Sequence, residues 1–354
     1  MAIGNLFDIW AQAPNTALIR RMAATVMEQQ ERPARMLSTL VPTRSDKIKL
    51  ERMEIASAGL APMKAIGASP PIYAPRIAYD QTFIEMIQIH EKRPIKERLM
   101  RELDSIDPEV RMRAGADMMV TGRQMALRNA NRSDYMVMTA ILTGQLPLVF
   151  EDEEDQGMTI IYDYDPAHFV NASSWANVAT GTPVSDMKAV QELLADSSGG
   201  YGVHFWMNAE TGHDMMWSDE TKALLTGFDG RSQFIPNFSD ITRRMFEPDK
   251  VQFHITNSGW RTEGSYLRGR SAHNKWIPDG KVIVTTADPF EGEPIVEMFD
   301  GLVYVRSAFD KMDVRAGEQA WARITDDDTY NWNHCSTRIP RINRPECVAI
   351  LDVS

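Results

Sequence analysis

Side chains able to do chemistry are scattered through the 354 residues, and none of their spacings completes a catalytic set. His90-Glu91-Lys92-Arg93-Pro94 opens like a zinc-protease helix, in which two histidines hold the metal and the glutamate activates water. The second histidine is missing, and Pro94 would break the helix. Gly269-Arg270-Ser271-Ala272-His273 lacks the closing glycine of a nucleophile elbow. Ser271 and His273 could still pair as nucleophile and base, but no acid partner or oxyanion loop can be placed beside them. Gly199-Gly200-Tyr201-Gly202 has no following Gly-Lys-Ser/Thr and leads into a strand, so it reads as a surface turn and not a phosphate cradle.

Metal ligation fares no better. His334-Cys335 and Cys347 give no Cys-x-x-Cys pair, and zinc sites bring their ligands in closely spaced pairs. Two cysteines allow at most one disulfide, and the expectation is two buried free thiols. The carboxylate runs Glu151–Asp155 and Asp326-Asp327-Asp328 lack calcium-loop spacing and read as solvated turns. The 22 methionines are read as core filling. The expectation is therefore no catalytic, cofactor-binding or metal-ligating residue, and no enzyme.

The elements that would have to position such residues point the same way. Composition is that of a soluble globular chain, 43% hydrophobic and 25% charged, long enough for about two domains at roughly 150 residues each or for one large elaborated one. A net charge of −11 disfavours wrapping nucleic acid over the whole surface. The charge is uneven: residues 1–143 carry 20 Lys+Arg against 16 Asp+Glu, and residues 144–354 carry 18 against 33. Either copies complement one another across contacts, or surface charge drifts without consequence. No basic region followed by an apolar core opens the chain, and Tyr135–Phe150 is too short and interrupted for a membrane span. The expectation is a soluble protein made in a cytoplasm.

Along the chain, residues 3–29 read as two short helical pieces split at Pro14-Asn15. A strand begins at Lys47, with a possible bulge at Glu51-Arg52, and a second covers Thr82–His90. Residues 57–75 between them hold two glycines and four prolines, too many for regular structure, so the whole reads as a long hairpin. A helix is predicted from Pro108 to Leu142, with Asp107 as N-cap and Gly144 as stop. Its packing face is read as Met112, Ala116, Met119, Arg123, Ala126, Ala130, Ser133, Val137 and Ile141. A hairpin, Gln145–Phe150 and Met158–Tyr162, turns through the acidic run. Helices over 186–195 and 218–225 follow, with strands near 203–207, 251–256, 264–270, 281–286, 302–305 and 347–351. Strands and helices mix without βαβ alternation, so the class is α+β.

This order of elements resembles the major capsid proteins of tailed phages, within them the lambda-type major capsid protein E family. The residues that carry the resemblance are Thr82–His90, Glu97-Arg98-Leu99, Asp107-Pro108-Glu109-Val110-Arg111-Met112-Arg113, and Ala140-Ile141-Leu142-Thr143-Gly144. Trp276-Ile277-Pro278-Asp279-Gly280-Lys281-Val282-Ile283-Val284 adds a late match. The resemblance implies the Hong Kong 97 phage capsid fold: an N-terminal arm (1–45), an extended hairpin loop (46–95), a peripheral domain with the spine helix (96–165), an axial domain (166–299) and peripheral return strands (300–354). It implies a structural protein that assembles as hexamers and pentamers into an icosahedral shell around double-stranded DNA, located in the virion and built in the host cytoplasm. Implied partners are copies of itself, a scaffold protein, the portal and a decoration protein, with only non-specific DNA contact and no membrane. An encapsulin-like compartment shares that fold and remains an alternative, as does, remotely, an α+β hydrolase using Ser271 and His273.

Overall fold

The computed structural model describes residues 32–45, 47–55, 77–148, 158–198, 200, 202–226, 251–261, 273–286, 294–306, 312–324 and 330–354. The expected arm helices, the loop tip 57–75, both carboxylate runs, Ser271 and the strand over 264–270 lie outside these residues.

The chain enters through α1 (Pro33–Leu37) and β1 (Ser38–Pro42), then the hairpin strands β2 (Lys47–Ile55) and β3 (Ile77–Glu85), then β4 (Ile87–Pro94). Helix α2 (Glu97–Leu103) precedes the spine α3 (Pro108–Thr143), and β5 (Gln145–Leu148) pairs with β6 (Met158–Ile161). Then come β7 (Phe169–Asn171), α4 (Pro183–Ser198), β8 (Gly202–Met207), α5 (Ala209–Trp217) and α6 (Asp219–Thr226). Short strands β9 (Gln252–Ile255), β10 (Gly259–Arg261) and β11 (His273–Lys275) lead to β12 (Lys281–Thr286) and β13 (Val296–Asp300). The last segments are β14 (Leu302–Arg306), β15 (Met312–Ala316), β16 (Gln319–Ile324), β17 (Tyr330–Ile342) and β18 (Val348–Asp352).

The hairpin forms as expected, but two details differ. Nine residues of β2 face nine of β3 in unbroken register from Lys47–Glu85 to Ile55–Ile77, leaving no extra residue for a bulge at Glu51-Arg52. The return run breaks at Met86: residues before it pair with β2, and residues after it pair with β17. Met86 packs against Gly301, where any Cβ would collide with its thioether.

Two larger sheets organise the rest. In the first, β17 is central, because Arg338 pairs with Ile87 of β4 on one side and Asp300 of β13 on the other. β16 continues the β13 side, and β1 runs parallel outside β13. The second has the order β7-β18-β12-β8-β9. The final strand sits in this second sheet between β7 and β12. Its Val-Ala-Ile-Leu run is buried on both faces, which suits an interior position and not an edge.

The spine begins where the sequence places it. Asp107 accepts from the Glu109 N–H at 2.9 Å, Pro108 occupies the first turn, and Gly144 stops the helix at φ 66°. At ~1.5 Å per residue its 36 residues span about 54 Å. The predicted packing face holds from Ala126 onward, where Ala130, Ser133, Val137 and Ile141 are buried. Upstream it does not: Met112 and Ala116 are exposed, and Ala114, Met118, Gly122 and Met125 are buried instead. Its first three members have i, i+4 spacing, which slants around a helix, and the row follows the side on which α2 and Trp332 pack.

Candidate functional site

Buried polar side chains converge where α3 lies against β17. Small residues on the spine, Ala126, Asn129, Ala130 and Ser133, let the strand approach closely. Alternation along β17 then sends Trp332, Ser336 and Arg338 to the helix face, and Asn333 and Cys335 to the opposite face with Val303 and Trp321.

Three groups bind the helix face. Ser336 Oγ donates to Asn129 Oδ1 at 2.7 Å, and Asn129 Nδ2 reaches the Ile89 carbonyl at 3.4 Å. Arg338 donates from Nη1 to Ser133 Oγ at 3.1 Å, from Nε to Asp300 at 3.2 Å, and from Nη2 to Glu318 at 3.1 Å. The other Glu318 oxygen lies 2.7 Å from His334 Nε2, whose ring is buried and whose Nδ1 has no partner. Nearer the C-terminal half of the spine, Arg32 reaches Asp134 at 2.5 Å with both side chains over nine-tenths buried. Every charge in this seam has an opposite charge beside it, as burial demands. The seam fixes the register of strand on helix, because a one-residue slip would turn Arg338 and Ser336 to the wrong face.

A second brace is aromatic. Tyr135 of the spine meets Trp260 edge-on at 5.4 Å, and Trp260 lies 4.8 Å from Trp276. Trp276 and Ile277 open the Trp-Ile-Pro-Asp-Gly run singled out in the sequence, and both are buried. Asp279 accepts from Asn208 at 2.5 Å and pairs with Lys275. Gly280 turns at φ 72° directly against Ser354, where a side chain would collide with backbone. The run is therefore a tight turn that delivers β12 into the second sheet.

The residues weighed for catalysis are dispersed. His90 is on strand β4, not on a helix; its ring stacks on Trp321 at 5.8 Å and sits 3.3 Å from Asn333. Its neighbour Glu91 points the other way, to Arg93 at 2.7 Å and Arg128 at 3.3 Å. His273 is exposed on β11. Cys335 and Cys347 are buried free thiols, and burial pushes the Cys335 thiol up to about 11 despite the hydrogen bond from Gln88, away from the nucleophilic thiolate. Among the described residues no group of three or more His, Cys, Asp or Glu could hold a metal ion, and no helix is long and apolar enough to cross a membrane. Sequence reasoning missed the seam itself. Its only visible signal is a 13-residue run, Tyr330–Ile342, rich in polar residues and free of glycine.

No family model matches the chain, and no curated protein matches it in sequence. Solved structures do. A chain described as a prophage capsid protein of Escherichia coli CFT073 superposes with a TM-score of 0.57 at 10% identity, over 96% of this chain and 99% of that one. A phage-related protein from Bordetella bronchiseptica RB50 superposes at 0.51 and 9% identity, over 94% and 96%. Both alignments run nearly the whole length of both chains, and the fold is that of the phage capsid proteins, the Hong Kong 97 type.

Proposed function

We propose that the chain is a major capsid protein, a structural subunit that assembles with copies of itself into the icosahedral head of a tailed phage. The observation that carries this is the end-to-end fold match to a prophage capsid chain, at 96% and 99% coverage. Local structure supports it. The β2–β3 ribbon pairs with no other described strand, as suits an arm reaching toward a neighbour, and the spine is braced along its length so that it can transmit force across a shell. Hexamers and pentamers around double-stranded DNA, a scaffold, a portal and a decoration protein as partners, assembly in the host cytoplasm and membership of the lambda-type subfamily belong to this proposal. So do the arm, extended-loop, peripheral and axial divisions of the chain.

Electron microscopy and sedimentation of the expressed protein, alone and with its scaffold, test it. Closed shells or six- and five-membered rings are the expected outcome. A strictly monomeric species from micromolar to millimolar protein with scaffold present overturns it. Shells that enclose a protein cargo and exclude DNA would instead identify an encapsulin-like compartment.

A further inference from the structure

We infer that His204 and His254 form a binding site for a borderline transition-metal dication of the Cu²⁺, Ni²⁺ or Zn²⁺ class. The two residues lie on adjacent parallel strands of the second sheet, β8 and β9. Trp206 is the register partner of His254, and His204 is two residues before it, so all three share one face. His204 Nδ1 and His254 Nε2 stand 3.0 Å apart.

That separation is the bite of a metal. Two imidazole nitrogens each bonded at ~2.0–2.1 Å lie about 2.9 Å apart at a right angle and about 3.4 Å apart at the tetrahedral angle. The rings need only reorient for both lone pairs to meet one ion, with no movement of the strands. Trp206 holds one ring in place, stacked on His254 at 3.8 Å between centroids and 14° from parallel. The two nitrogens share a hydrogen bond in the structure, and a bound metal would take its place between them. Each ring binds in its neutral form with its remaining proton on the other nitrogen, so no proton is released.

The surroundings select the class of ion. A cavity of about 280 Å³ beside His254, lined by Met36, Trp206, Phe253 and Thr256, gives room for the waters that two protein ligands leave to be supplied. Among the described residues no carboxylate lines it, so Mg²⁺ and Ca²⁺, which require oxygen donors, are disfavoured there, whereas imidazole suits copper, nickel and zinc.

Cu²⁺ titration of the purified full chain, read by paramagnetic resonance and tryptophan fluorescence, tests the assignment. The wild type should bind one Cu²⁺ per chain with hyperfine splitting from two nitrogens, and part of the tryptophan emission should be quenched through Trp206. Mg²⁺ should quench nothing. His204→Gln and His254→Gln should each weaken binding at least tenfold while retaining the wild-type circular dichroism. Replacing the exposed His213 and His273 together by Gln should change nothing. A wild-type spectrum without paired-nitrogen splitting overturns the site by itself, whatever the variants do. Folded single variants that titrate like wild type, or loss of binding in the His213/His273 double variant, overturn it as well.

Discussion

Arg338 and Ser133 are 205 residues apart in the chain, yet the guanidinium of one donates to the hydroxyl of the other at 3.1 Å inside the seam between β17 and the spine. The same arginine holds Asp300 and Glu318, so one side chain ties helix, strand β13 and the β15–β16 turn together. Arg338→Ala withdraws a buried cation from two carboxylates and should cost about 3 kcal/mol or more. Ser133→Ala removes one neutral acceptor and should cost about 1 kcal/mol. Urea unfolding of the unassembled subunit measures both. The double variant should fall short of the sum, because the two share a bond.

Gly144 ends the spine in the left-handed region, and a Cβ there would stand 3.1 Å from the Tyr164 ring and 3.2 Å from Phe169. Gly144→Ala should therefore lose about 1–3 kcal/mol of subunit stability. Thermal melting of the free subunit checks this. Gly144→Asn, which tolerates positive φ better, should lose less unless the ring contacts dominate.

Acid should weaken the subunit through its half-buried histidines. Desolvation lowers His90, and lowers His204 and His254, the last also through the charge of His204. A lowered folded value means that the unfolded chain takes up protons first. The melting temperature should be level above about pH 6.5 and fall as pH drops below it. His254→Gln should flatten that decline. A melting temperature that rises on acidification would contradict the sign.

Residues 57–75 carry Leu60, Met63, Ile66, Ile72 and Tyr73 on a segment too rich in glycine and proline to build a core. Replacing Ser57–Pro75 by a short Gly-Ser turn should leave the circular dichroism and melting of the free subunit unchanged and abolish closed shells in electron micrographs. Shells of normal size, or a misfolded subunit, would remove this segment from the contact between neighbours.

What could be read from the residues was whatever depends on local chemistry. Asp107, Pro108 and Gly144 mark the spine to within one residue at its end, and Lys281–Thr286 is a strand at the bounds expected. Strand β17 was illegible because both its faces are buried, so Asn331, Asn333, His334, Ser336 and Arg338 replace the alternation of apolar and polar residues that announces a strand. Their partners, Asn129, Ser133, Asp300 and Glu318, are brought in from three other segments. The His204–His254 pair was hidden for the same reason, since 50 residues separate two side chains that only strand pairing makes neighbours.

Two strands with a neighbour on each side are also among the last made. β17 spans residues 330–342 at the centre of one sheet, and β18 spans 348–352 inside the other. A ribosome adding ~5–20 residues per second needs roughly 15–65 s to reach residue 330, and through that interval the first sheet lacks its central strand and the second lacks the strand that joins β7 to β12. An interrupted chain ending before that point lacks Arg338 and the whole β17 face that grips the spine. Such fragments can complete neither sheet, so the order in which the polypeptide emerges makes the finished fold a property of the finished chain alone.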